Sequence, residues 1–301
     1  LLGISNVSPD CGALDVYVVA PGTSTVVGLT PTFSQIGFGA APLFTTLVSG
    51  AYEIVATASG HPNDVRFETA SQQLGSTQIV LLGFTSTSGG ALVNGVLANQ
   101  GASVSFSQTS NARVRVVSAL PVSGTSQVSA TVGGTAFAPV FSPNPGTYTL
   151  VPGATTSYSL SVAGTAIASP PAATFATGGD YTILVYGASA ASPAVSIFTD
   201  NNQAPIAGDV NLRLINAGVT VAGGLTMYDN NVQVASAVAY GAASPYFGVT
   251  ESATSSLELI APTLTPLTVT PSLNVPASVY TVFVIDGAMS PTTSLSIIRD
   301  R

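Results

Sequence analysis

Leu14-Asp15-Val16-Tyr17-Val18 sets apolar residues at every second position, the period of a strand with one buried face. It follows Asn6-Val7-Ser8-Pro9-Asp10-Cys11-Gly12-Ala13, in which a Ser-Pro-Asp turn joins it to an earlier extended run. The two runs read as a β-arch or hairpin that opens a domain. Weaker versions of the opening stand at Val114-Arg115-Val116-Val117-Ser118-Ala119-Leu120-Pro121 and at Leu212-Arg213-Leu214-Ile215-Asn216-Ala217-Gly218, the latter followed by Leu225-Thr226-Met227-Tyr228-Asp229. Over the first hundred residues the alternation predicts strands at 1–7, 14–19, 43–48, 52–58, 65–69, 78–84 and 91–97, divided by Gly, Pro, Ser and Asn clusters. No long window carries an apolar stripe at helical spacing, and the Val, Thr and Tyr content favours strands.

Two polar, uncharged stretches break the pattern. Residues 99–103 mark a first boundary, although the alternation of Val104 and Phe106 with Ser also fits an extra edge strand; 201–205 mark a second. The expected architecture is all-β, three tandem immunoglobulin-like antiparallel β-sandwich domains over 1–100, 101–204 and 205–301. Repeat offsets support the division. Val116 maps to Leu214 and Tyr148 to Tyr246 at 98, Leu160 to Leu257 or Glu258 close to it, and Ile183 to Val282 and Phe198 to Ile297 at 99. Between the first two units Phe44 maps to Tyr148, Ile79 to Ile183 and Gly83 to Gly187, all at 104. Ile79, Ile183 and Val282 are therefore expected to be buried in corresponding strands.

These residues resemble a known family. The chain looks like tandem copies of a secreted bacterial and archaeal domain of unknown function, the family numbered four-three-nine-seven. Asn6-Val7-Ser8-Pro9-Asp10 joined to Ala13-Leu14-Asp15-Val16-Tyr17-Val18 is similar to that family's opening motif, and Ser49-Gly50-Ala51-Tyr52-Glu53-Ile54 to its middle motif. The match extends in part to the third unit through Asn216-Ala217 and Tyr228 and is poor in the second. The resemblance implies an extracytoplasmic immunoglobulin-like or transthyretin-like sandwich, often lipid-anchored or set in a multidomain surface protein, and no established catalytic residues.

Composition narrows the function classes. Only 6% of the residues are charged, against roughly 25% in ordinary soluble proteins. All six cations are Arg, and thirteen carboxylates leave a formal charge of −7, which argues against a nucleic-acid partner. No apolar run approaches the roughly 20 residues that span a bilayer. The start at Leu1 accommodates a removed signal segment as well as a trimmed chain.

Reagents for catalysis are scarce. His61, the only histidine, sits in the turn-like Gly60-His61-Pro62-Asn63-Asp64, with no nucleophile elbow to accompany it. One His and one Cys make a poor zinc set. Asp200, Asn201, Asn202 and Asp209 offer hard oxygens for calcium but lack the regular spacing of a calcium loop. Asp229-Asn230-Asn231 reads as a hairpin turn. No metal, cofactor or catalytic residue is therefore assigned. Cys11 reads either as a small, partly buried turn residue or as an exposed thiol available to a partner chain. The Asn6-Val7-Ser8 sequon lies in a presumed strand.

The reading that follows is a non-enzymatic structural protein of the prokaryotic cell surface, secreted and self-assembling as a fibre or coat. The alternative is an adhesin or polysaccharide-binding lipoprotein module. Sheet edges poor in charge oppose pairing only weakly, so self-association through strand edges is expected. Leu1-Leu2-Gly3-Ile4-Ser5 either pairs within its own domain or completes the sheet of a neighbour.

Overall fold

The computed structural model describes all residues except 76–78, 102–103, 121–126, 143–144, 220, 222–223, 263–265 and 287–292. Gln78, Pro121, part of the first boundary (Ala102 and Ser103) and the turn glycine Gly287 therefore lie outside the described residues. Among those described there is no helix. Strands β1 (Leu2–Asn6), β2 (Leu14–Val19), β3 (Phe33–Ile36), β4 (Leu43–Thr45), β5 (Gly50–Ala58), β6 (His61–Glu68), β7 (Gln72–Leu74), β8 (Val80–Ser86), β9 (Val93–Asn99) and β10 (Val104–Ser107) build the first sandwich. One of its sheets has the order β10-β9-β8-β1-β4 and the other β3-β2-β5-β6, with β7 also on β5.

The second sandwich comprises β11 (Asn111–Ala119), β12 (Val128–Val132), β13 (Thr135–Ala136), β14 (Thr149–Pro152), β15 (Tyr158–Val162), β16 (Thr165–Ala166), β17 (Asp180–Tyr186) and β18 (Ala194–Asp200). The third comprises β19 (Asp209–Ala217), β20 (Leu225–Asp229), β21 (Val232–Val238), β22 (Ala242–Ala243), β23 (Phe247–Thr250), β24 (Leu257–Ile260), β25 (Leu267–Val269), β26 (Val279–Asp286) and β27 (Thr293–Arg299). Sheet orders repeat: β14-β11-β17-β18 and β22-β19-β26-β27 correspond to the first sheet of the first sandwich, and β13-β12-β15-β16 and β21-β20-β24-β25 to its second. The chain forms two compact units. One is Leu1–Arg113 with Ala176–Asp180 and Asn201–Gln203; the other is Val114–Phe175, Tyr181–Asp200 and Ala204–Arg301.

The alternation seen in the sequence becomes a buried face in β8, β9, β12 and β20, where every second residue is inside. Leu2, Ile4, Leu14, Val16, Ile54, Phe67, Leu82 and Phe84 share the first core. Leu212, Leu214, Met227, Leu259, Val282 and Val284 share the third. In the first and third sandwiches the pairing is antiparallel except that β1 runs parallel to β8, and β19 parallel to β26. A parallel pair cannot be closed by a tight turn, so the rest of each sandwich acts as its crossover.

An asparagine pins the two sheets of a sandwich together at the end of the first strand. The Asn6 Nδ2 donates to the Ile36 and Gly12 carbonyls, and its Oδ1 accepts from the Ser8 amide. Asn216 repeats the arrangement, with Nδ2 donating to the Val238 carbonyl and Oδ1 accepting from the Gly218 amide. Asn6 is wholly buried and its amide is occupied, so its sequon is closed to a glycan. The expected turn between β20 and β21 is present, with Asn230 and Asn231 both at positive φ as a type I′ hairpin requires.

Several expectations need correction. Ile183 and Val282 are buried, but Ile79 precedes β8 and is 39% exposed. The registers Ile4↔Leu82 and Leu214↔Val282 make Leu82 the true counterpart of Val282. The offset from the first to the second unit is thus 101 at this strand rather than 104, and an odd slip moves a residue to the opposite face of a strand. For the same reason Phe198 corresponds to Ile298, which shares its cluster, and not to Ile297, which faces the third core. β3 and β7 lie outside the expected set of strands, and β10 carries the first sandwich beyond residue 100 by pairing with β9. Leu1 stands just outside β1, whose residues Leu2, Gly3, Ile4 and Ser5 form an interior strand between β4 and β8. With both flanks paired and Leu2 and Ile4 in the core, this run has no free edge to offer a neighbour.

Candidate functional site

Two features stand out once the fold is in place: charge buried inside each unit, and an uncharged apolar sheet face left outside. In the second unit, Arg115 on β11 and Arg213 on β19 occupy equivalent outward positions on first strands, 98 residues apart. Their guanidiniums are buried between the β11 and β19 sheets and pair crosswise. Arg213 Nη1 donates to Asp200 Oδ1 at 2.6 Å, while Arg115 forms an ion pair with Asp300. The ring closes through two threonines. Arg115 Nε donates to Thr182 Oγ1 (2.8 Å), which donates to Asp200 Oδ2 (2.6 Å). Arg213 Nη2 donates to Thr281 Oγ1 (3.1 Å), which donates to Asp300 Oδ2 (2.5 Å).

Aromatic rings cap both cations. Tyr148 lies 4.7 Å from Arg115 and Tyr246 4.6 Å from Arg213, and the Tyr148 hydroxyl donates to Asp200. Burial alone would raise the Asp200 carboxyl, but the charges of Arg213 and Arg115 and the Thr182 and Tyr148 hydroxyls outweigh it and hold Asp200 below the usual carboxylate range. Burial pushes the Tyr246 phenol up. Around this polar ring Val117, Ala119, Leu184, Ile215, Phe283 and Ile285 pack the two sheets face to face, which is why β11, β17 and β19 are buried on both faces.

The first unit has its own charge cluster. Arg66 on β6 donates to Asp64 at 2.5 Å, Arg113 stands 3.6 Å from Asp64 and 3.4 Å from Asp180, and the Asn202 amide donates to Asp180 at 2.6 Å. Burial and the like charge of Arg113 push the Arg66 guanidinium down, with Asp64 offsetting only part. Burial would raise Asp64; Arg66, Arg113 and His61 overcome this and lower it. The backbone is sewn in close by. The Gly89 amide donates to the Gly178 carbonyl and the Asn202 amide to the Gly89 carbonyl. A Cβ on Gly90 would stand 2.5 Å from the Gln203 amide nitrogen, so only glycine permits this approach.

These contacts engage two of the four side chains considered for calcium, Asp200 through its oxygens and Asn202 through its amide nitrogen. Asp200 is engaged by Arg213, Thr182 and Tyr148, and Asn202 by Asp180. Among the described residues no three His, Cys, Asp or Glu side chains group as metal ligands. His61 opens β6 and is exposed. Cys11 takes the buried reading: it is 2% exposed, packed in the first core, with its thiol directed to the Asn6 Oδ1 and the Gly12 carbonyl. A disulfide to another chain would require that turn to open. A shallow pocket of about 230 Å³ lined by Val116, Phe137, Pro139, Phe141, Pro145 and Thr149 holds no titratable group.

The second feature is the outer face of the sheet β10-β9-β8-β1-β4. Register places Phe44, Gly3, Leu81, Ala98 and Val104 in one cross-strand row and Ser5, Gly83, Val96 and Phe106 in the next. None is charged. Phe106 is 72% and Phe44 51% exposed. The Phe44 ring lies against Gly3, where any side chain would collide with it.

Sequence reasoning missed both features. The arginine ring was signalled by Arg115 and Arg213 at the repeat offset of 98 and by Asp200 and Asp300 closing the last strands of their units. No protein-family profile matches the chain, and no curated protein does. A solved structure titled "a putative cell adhesion protein from Bacteroides ovatus ATCC 8483" aligns over 99% of this chain and 95% of its own, at 9% identity and a TM-score of 0.15. A likeness of that strength carries no argument about fold or role. No helix among the described residues is long and apolar enough to cross a membrane.

Proposed function

We propose that the chain is a non-enzymatic structural protein of the prokaryotic cell exterior whose copies associate, and that it is kin to the four-three-nine-seven family. The observation that carries this reading is where the charge goes. Arg66, Arg113, Arg115 and Arg213 are all buried and held by Asp64, Asp180, Asp200 and Asp300, so the reactive groups of the chain serve to join sheets and loops. The paired use of Asn6 and Asn216, each at the end of a first strand, supports the kinship. Because β1 is interior, association falls to other surfaces.

The test is antibody labelling and protease shaving of intact cells that make the protein, with negative-stain microscopy of the purified chain. Labelling before lysis and ordered assemblies are expected. Labelling only after lysis overturns the surface assignment. Dispersed particles that retain matrix polysaccharide replace the structural role by an adhesive one.

A further inference from the structure

We propose that the outer face of the β10-β9-β8-β1-β4 sheet is a homodimer interface, covered by the same face of a second copy about a two-fold axis. This deepens the associative part of the reading above by naming the surface and the partner. The first argument is a precedent inside the molecule. The equivalent faces of the second and third sandwiches already pack on each other, Val117, Ala119 and Leu184 of one against Ile215, Ala217 and Phe283 of the other, with crosswise Arg–Asp pairs. In this fold that face meets its own counterpart.

The second argument is the replacement of charge. The registers that match Ile4↔Leu82 to Leu214↔Val282 put Gly3 at the place of Arg213 and Leu81 at the place of Thr281. The Gln100 amide donates to the Ile79 carbonyl as the Asp300 amide does to Val279, so Gln100 stands where the acid would be. A face of the charged type laid here would leave its Arg and Asp unpaired and buried, at a prohibitive desolvation cost. The matching occupant is another face without charge. A second copy supplies one, and same-on-same contact sets no like charges together.

Shape gives the third argument. The two aromatic knobs, Phe44 on β4 and Phe106 on β10, stand on opposite edge strands of the sheet. Between them the interior strands present Ser5, Gly83 and Ala98 beside the half-buried Leu81 and Val96, and the Phe44 ring covers Gly3. A two-fold rotation sets the exposed Phe106 of each copy against the uncharged interior strands of the other. Five strands at about 4.8 Å spacing make the face ~20 Å wide. With Val7 and Ile79 at its margins it offers ~500 Å² per copy, so the pair buries ~1,000 Å², the lower end of specific interfaces. An interface of that size belongs to the weak, reversible class.

Sedimentation velocity of the full chain over a wide concentration range tests this, alongside Phe106→Glu and Gly83→Glu. Gly83 has ordinary backbone geometry, and a Cβ added there would meet only the Val96 carbonyl, 4.0 Å away, so its substitution leaves the monomer intact and charges the centre of the face. The full chain is expected to pass from monomer to dimer, and each variant to weaken association by about tenfold or more at unchanged melting temperature. A monomer at every concentration overturns the proposal. So does a dimer that survives Gly83→Glu, because pairing along the β10 edge would not involve that interior position. A monomer still labelled on intact cells removes the dimer and keeps the surface reading; a dimer found only inside cells does the reverse.

Discussion

Replacing Arg213 by Met keeps most of the aliphatic volume and removes the charge, which isolates what the arginine ring does for the second unit. Asp200 would lose its 2.6 Å partner and keep the Thr182 and Tyr148 hydroxyls, while Thr281 would lose one of its two donors. Both members of the pair are almost wholly buried, so the carboxylate cannot recover its lost partner from water. Breaking a buried pair from one side costs about 3–5 kcal/mol, most of it from stranding the remaining charge. In a unit of this size each kcal/mol moves the melting midpoint by roughly 2–4 °C, so a fall of ~6–20 °C is expected. The double variant Arg213→Met/Asp200→Asn removes the stranded charge and should be less destabilised than the sum of its single changes by at least ~1 kcal/mol. Urea titrations followed by far-ultraviolet circular dichroism give all four corners of the cycle, and Arg115→Met should behave like Arg213→Met because the ring is closed through both. A loss under about 1 kcal/mol for Arg213→Met, the level of an exposed pair, would refute the reasoning.

Acid should act through the same groups. Asp200 and Asp64 titrate below the usual carboxylate range in the folded chain, so their contribution is complete above the unfolded-state value near pH 4 and is lost as pH falls through the folded values. Urea midpoints should therefore drop from pH 5 towards pH 3, less steeply in Asp200→Asn; a rise with acid contradicts the assignment. Asn6→Ala and Asn216→Ala each strand buried carbonyls and should cost about 1–3 kcal/mol by the same titration, with no change expected if the pins are incidental. Gly90→Ala should destabilise the first unit, because its Cβ would meet the Gln203 backbone, whereas Gly134→Ala in the open β12–β13 turn would show only the strain of positive φ; equal melting of the two variants would deny the close approach.

How far the sequence disclosed this fold depended on whether a position's neighbours lay within its own strand. β2, β5 and β9 announce themselves through alternation, and Tyr148 and Tyr246, found from an offset alone, do occupy matching places over Arg115 and Arg213. β3 was illegible because its four residues include a positive φ at Gln35 and a register shift opposite Leu14, so no period can develop. Ile79 went wrong for a different reason. Apolar residues on both sides of Val80 let the alignment slide by three, and a slide by an odd number exchanges the faces. The arginines were hidden more deeply. The outward face of β11 and β19 mixes Arg115 with Val117 and Ala119, and Arg213 with Ile215 and Ala217, so the consecutive apolar pairs Val116-Val117 and Leu214-Ile215 were the local sign of a covered face, and the arginines in the same row masked it.

That concealment explains the arrangement of charge. Two sheet faces padded with Val, Ala, Leu and Ile can slide past one another with little loss of buried area, since burial is non-directional. A buried Arg–Asp pair tolerates no such slide, because a displaced register leaves charge unpaired in a medium that cannot solvate it. Two pairs crossing in opposite directions, from Arg115 to Asp300 and from Arg213 to Asp200, fix both translation and rotation of one sheet on the other. The ring thus sets the register, and the apolar surround supplies the favourable free energy. The first sandwich carries the apolar surround without the ring, which leaves shape alone to specify what lies against it: a contact made in this way can form and part reversibly, while the ring-bearing pair stays closed.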